Sequence, residues 1–84
     1  MAEEEIGHVS NFFARPVVAG IDLTAPVKVG DVILIRGATT ELQLTVNSMQ
    51  INNVDVKEAK AGDSVGIKVS ERVRPGDRVY KVTD

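Results

Sequence analysis

Three short stretches of this chain share one grammar. Lys28-Val29-Gly30-Asp31, Lys60-Ala61-Gly62-Asp63 and Arg74-Pro75-Gly76-Asp77 each run basic residue, spacer, glycine, aspartate, and then enter a strand-like segment. Gly62 can take the positive φ of a tight turn, and Asp63 can bond backbone N–H groups beyond it. Val65, Ile67 and Val69 then alternate with Gly66, Lys68 and Ser70, the period of a strand with one buried face. Three such corners in one short chain imply an all-β domain. Their uneven spacing makes them shared turn chemistry, not a tandem repeat.

The remaining segments fit the same class. Ile6 to Phe13 is the first expected strand, and Ala14-Arg15-Pro16 the turn after it, since proline disfavours helix at Arg15. Val17, Ala19, Ile21 and Leu23 form one apolar face of the next strand. Val32-Ile33-Leu34-Ile35 is apolar on both faces, which predicts a central or covered strand. Leu42, Leu44 and Val46 keep one phase, but Met49 and Ile51 fall in the other, so a β-bulge is expected near Asn47-Ser48. Asn52-Asn53 predicts a tight turn, because Asn tolerates the left-handed region. Val54 to Ala59 reads as a short strand or an irregular arm. Apolar spacing of three and four never persists, so no substantial helix is predicted. Short strands, bulge phasing and doubly apolar strands together favour a small closed antiparallel β-barrel, which also removes exposed edges.

The chain has 84 residues, enough for one small domain. Residues 1–5 are expected to be disordered, because Glu3-Glu4-Glu5 reads as a frayed acidic terminus, with residues 6–84 forming the barrel. Without cysteine, neither a disulfide framework nor a thiolate metal site can form. The acidic start is not a signal peptide, so a cytoplasmic location is expected, and no apolar run approaches bilayer-spanning length. A net charge of −2 argues against a strongly basic nucleic-acid binder and against DNA as a partner. Basic residues nonetheless gather late in the chain, at Arg72, Arg74, Arg78 and Lys81, with Glu71 and Asp77 among them.

The ordered motifs carry a resemblance. Gly7-His8-Val9, Lys28-Val29-Gly30-Asp31, Ser48-Met49-Gln50-Ile51, Ala61-Gly62-Asp63-Ser64-Val65-Gly66-Ile67 and Gly76-Asp77-Arg78-Val79 resemble the second, β-barrel domain of translation elongation factors. The chain is also similar to the barrel appended to U32-family peptidase-like proteins. The resemblance implies a barrel fold and an accessory or translation-linked role. It does not imply GTP binding: no G-x-x-x-x-G-K-[ST] loop is present to cradle phosphates. The hairpin from Ser10 to Thr24 is longer than the family's turn, and no aminoacyl-end pocket residues correspond.

Catalysis has little to build on. His8 is the single histidine, and Ser10 on the same strand face lies about 6–7 Å along it, too far for a nucleophile–base bond. Asp31, Asp63 and Asp77 are explained as turn caps rather than metal ligands. No catalytic residue, metal or cofactor is therefore predicted, and the chain is not expected to be an enzyme by itself. Binding is better supported. Phe12 and Phe13 point to opposite strand faces, so one can enter the core while the other, beside Arg15, stacks on a partner. Arg72, Arg74 and Arg78 are candidate phosphate contacts. The leading expectation is a translation-factor-like module contacting RNA or a ribonucleoprotein through these six residues. The alternative is a protein-interaction adaptor that docks onto a larger enzyme or factor.

Overall fold

Each Gly–Asp corner closes in the same way in the computed structural model, which describes residues 2–15 and 17–83. The aspartate N–H donates to the carbonyl of the basic residue three positions earlier, at 3.0–3.1 Å. Gly30, Gly62 and Gly76 take φ of 99°, 95° and 95°, the third position of a type II turn that only glycine occupies without strain. The carboxylate then reaches backward, not onward as the sequence suggested. Asp31, Asp63 and Asp77 accept the backbone N–H of Lys28, Lys60 and Arg74 at 2.9, 3.0 and 2.9 Å.

A second pair of bonds ties each corner to a distant residue. Gly76 N–H donates to the Val9 carbonyl and Val9 N–H to the Asp77 carbonyl, at 2.8 and 2.7 Å. Gly62 and Asp63 exchange the same two bonds with Leu23, and Gly30 and Asp31 with Val46, all at 2.8–2.9 Å. Val9, Leu23 and Val46 are core residues. One turn chemistry is thus used three times to pin a buried backbone segment.

Ten strands are present among the described residues. They are β1 (Ala2–Ala14), β2 (Val17–Leu23), β3 (Val27–Lys28), β4 (Val32–Arg36), β5 (Glu41–Thr45), β6 (Met49–Ile51), β7 (Val54–Val56), β8 (Glu58–Ala59), β9 (Ser64–Lys68) and β10 (Arg78–Thr83). Eight form one antiparallel sheet in the order β5-β4-β10-β1-β2-β9-β6-β7, and β3 pairs with β8 apart from it. The inner face gathers Val9, Ile21, Ile33, Ile35, Ile67 and Val79 into a core at 0–1% exposure. β4 lies between β10 and β5, as its doubly apolar pattern implied, and Leu34 on its other face is also buried.

Three expectations need correction. The sheet is not a closed barrel, because β5 and β7 remain as edges. β7 and β8 are too short to complete a ladder, and β8 turns away to pair with β3. Among the described residues, only isolated bonds bridge that side, such as Val29 N–H to the Lys57 carbonyl at 2.9 Å. The phase slip near Asn47-Ser48 is a break between β5 and β6, not a bulge within one strand. The register shifts lie instead in β1, between Glu5 and Gly7 against β10 and between Val9 and Asn11 against β2. Residues 2–5 are not disordered: they extend β1, with Ala2 opposite Thr83 and Glu5 opposite Tyr80. Met1, Pro16 and Asp84 lie outside the described residues, and with them the expected action of Pro16 on Arg15.

The Asn52-Asn53 turn is as the sequence implied. Both residues have positive φ, 52° and 65°, in a two-residue hairpin joining Ile51 to Val54.

The three aspartates differ in burial, so their removal should differ in cost. Asp77 is 7% exposed, and a Cβ on Gly37 would run into its carboxylate. Asp77→Ala is expected to destabilise by about 1–3 kcal/mol, because it removes a buried carboxylate and leaves the partly buried Arg74 N–H without its partner. Asp63→Ala, where water can replace the carboxylate, should cost under about 1 kcal/mol. Urea midpoints of the two variants check the order, and equal losses would contradict it.

Candidate binding surface

The alternation of β1 divides its two phenylalanines. Phe12 packs partly against the core, whereas Phe13 stands 55% exposed on the outer face. Phe13 and Arg15 border a groove of about 610 Å³ that crosses β1, β2, β9 and β6. Its floor follows from the register: Asn11 faces Gly20, Gly20 faces Gly66, and Gly66 faces Gln50. Cross-strand partners share a face, so two adjacent glycines leave a strip of bare main chain between the Asn11 and Gln50 amides. The β6–β7 hairpin contributes Asn52 and Asn53, and Phe13 with Val18 forms an apolar wall.

Neither groove glycine is required by the backbone. Among the glycines of the described residues, positive φ is confined to the three at the corners. A Cβ at Gly20 would meet its nearest neighbour, Asn11 Cβ, at 3.4 Å, and one at Gly66 would meet Val18 Cγ1 at 3.3 Å. Glycine inside a strand costs roughly 0.5–1 kcal/mol relative to alanine. The signal was visible in the alternation, since Gly20 and Gly66 stand where an outward side chain belongs. Their adjacency was not visible, because it depends on the register of β2 against β9, two strands far apart in the sequence.

Phe12 borders a different cleft, of about 630 Å³, with Arg72 and Arg74. The Arg72 guanidinium lies 5.9 Å from the Phe12 ring centre, within cation–π range. Arg78 is engaged elsewhere: its Nη1 donates to both Glu5 carboxylate oxygens, at 3.2 and 3.0 Å. Arg36 is held by Glu3 at 3.2 Å and lies 5.5 Å from the Tyr80 ring centre. The six sequence candidates therefore fall into three places: Phe13 with Arg15, Phe12 with Arg72 and Arg74, and Arg78 alone with Glu5.

The histidine has a neighbourhood that the sequence did not reveal. His8 and Asp22 are cross-strand partners, as are Asp22 and Ser64. His8 Nε2 lies 3.7 Å from Asp22 Oδ2, and Ser64 Oγ donates to Asp22 Oδ1 at 2.7 Å. The carboxylate stands between the other two groups. Activation of a serine needs the base on the hydroxyl and the carboxylate behind the base, so this order does not activate Ser64. Ser10, at the β1 bulge, donates instead to the Gly20 carbonyl at 3.2 Å.

Comparison with known proteins places this surface in context. No protein-family model matches the chain. Over 77 residues it is 52% identical to an uncharacterised protease of Methanocaldococcus jannaschii, covering 90% of this chain and 19% of that protein. It is 31% identical over 78 residues to a collagenase of Porphyromonas gingivalis, covering 90% of this chain and 22% of that protein. The chain thus spans about a fifth of the length of these curated relatives. Among solved structures, the C-terminal domain of a protein from Geobacillus thermoleovorans assigned as a U32 peptidase superposes with a TM-score of 0.88. That match covers 95% of this chain and 93% of that domain at 16% identity, so it establishes the fold alone. Its selenomethionine variant gives 0.86. These findings carry the U32 side of the resemblance, while the elongation-factor likeness rests on sequence motifs only. No helix of the described residues is long and apolar enough to cross a membrane.

The split environment of the two phenylalanines makes a direct test. Phe13→Ala should change stability by no more than about 0.5 kcal/mol, as for an exposed residue. Phe12→Ala should cost about 1–2 kcal/mol, less than a fully buried ring but clearly measurable. Denaturant unfolding of both variants decides it, and a larger loss at Phe13 would invert the assignment.

Proposed function

We propose that this chain is an accessory domain that docks onto a larger protein of the U32-peptidase kind and does not itself carry out peptide hydrolysis. The observation that carries this reading is its extent: it aligns with about a fifth of a protease and of a collagenase while having the fold of a separate C-terminal domain. Peptidase chemistry then belongs to the remainder of such proteins. The domain's part is to hold that remainder, or something it acts on, in place. The dispersed cations support docking over RNA binding. Arg78 and Arg36 are engaged by carboxylates, and Arg15 is separated from Arg72 and Arg74 by the body of β1. A phosphate backbone is bound best by cations on one face.

The test uses the Methanocaldococcus jannaschii protease expressed without the 77 residues that match this chain. Mixed with the chain, it should co-elute on size exclusion, and the complex should survive a rise in salt, as contact through an apolar and amide surface would. RNA binding would instead fall steeply with salt. Failure to co-elute, together with salt-sensitive retention of single-stranded RNA by the chain, would replace the docking reading with the RNA one.

A further inference from the structure

We propose that the glycine-floored groove across β1, β2, β9 and β6 is where docking occurs, and that its occupant is an extended peptide segment of the larger protein with an acidic side chain at the Arg15 end. This rests on the docking reading and names its partner.

The groove's shape sets the size of the occupant. Its four strands, spaced about 4.8 Å apart, make it about 14 Å across, the reach of about four extended residues. Its floor is main chain at Gly20 and Gly66, so a flat peptide group can approach where any side chain would hold it off. The bordering groups match a peptide's own chemistry. Asn11, Gln50, Asn52 and Asn53 each present a carboxamide with donors and an acceptor, the complement of a backbone N–H and C=O. The Phe13 ring, 55% exposed, gives one side chain of the segment an apolar contact.

Charge selects the same class. Among the described residues, Arg15 is the one charged residue lining the groove. At the margins stand Lys68, cross-strand from Val18, and two carboxylates that are already engaged. Asp22 accepts from Ser64 at 2.7 Å, and Asp55 accepts from Gln50 Nε2 at 2.9 Å. Both signs surround the groove, an environment that suits a mostly neutral peptide and repels a polyanion from the Asp22 and Asp55 sides. The lone cation in the lining pairs with one acid.

Gly20 separates binding from folding. A Cβ there meets nothing nearer than 3.4 Å inside the protein, so Gly20→Ala keeps the fold and fills only the space an occupant needs. The probes are overlapping amidated peptides that tile the Methanocaldococcus jannaschii protease outside its matched residues. Each is titrated into the isotope-labelled chain, with hexauridine RNA in parallel. At least one tile should shift the Asn11, Gly20, Gln50 and Gly66 amides. Gly20→Ala should weaken that tile by tenfold or more with no loss of thermal stability. Arg15→Gln should weaken it severalfold, and only while the tile keeps its acidic residue. The proposal is overturned if no tile shifts these amides, if the Gly20→Ala chain binds as tightly as the native one, or if hexauridine is the probe that shifts them. Should the chain co-elute with the truncated protease while no tile depends on Gly20, the groove assignment falls and docking stands.

Discussion

Val9, Leu23 and Val46 are at most 4% exposed, and peptide groups at that depth must find partners within the protein. For all three, the partners are the glycine N–H and aspartate carbonyl of a Gly–Asp corner. An unmade bond at such a site costs about 1–3 kcal/mol, a large fraction of what holds a small domain together. The corners are therefore more than chain reversals. Each fixes a turn and a distant buried segment relative to one another, and the aspartate carboxylate keeps the turn in the one conformation that presents both groups. The sheet can then curve around a core of Val, Ile and Leu without a disulfide or closure of its edges.

This explains why the class of fold was legible and its closure was not. Alternation and Gly–Asp punctuation are local, and they located β2, β4, β5, β9 and the corners from residue types alone. Edge pairing is a long-range property. Nothing in Val54 to Ala59 announces that β7 pairs with β6 while β8 leaves for β3. The same limit explains Glu3 to Glu5. As a local run they resemble a solvated terminus, yet β10 offers them a ladder, and Arg36 and Arg78 offer two of them opposite charges. A cross-strand partner outweighs a local acidic run once it is placed opposite.

The candidate binding residues show the same division. That Phe12 and Phe13 must part company follows from a period of two, and the structure places one against the core and the other outside. Which cation accompanies which ring does not follow from spacing. Arg72 reaches Phe12 from a loop sixty residues away, whereas Arg78, similar in sequence context, is taken by Glu5. The His8–Asp22–Ser64 row is likewise a product of register. Chemistry that depends on two neighbouring strands is invisible until their order is known.

The outer face gains its freedom from how the inner face is built. The corner bonds pin the backbone at Val9, Leu23 and Val46, and the core fills the space beneath the sheet. Residues on the opposite face of β2 and β9 are relieved of packing, so a strand there can hold glycine at a modest propensity cost. Neither of the two glycines in adjacent register is explained by turn geometry, and Gly20 has ordinary room for a methyl group, while one at Gly66 would press on Val18 Cγ1 at 3.3 Å. What remains is the surface they expose: main chain flanked by amides, a ring and one guanidinium. A scaffold stabilised from within can present such a surface without weakening itself, which is the physical condition for a small domain that works by holding something else.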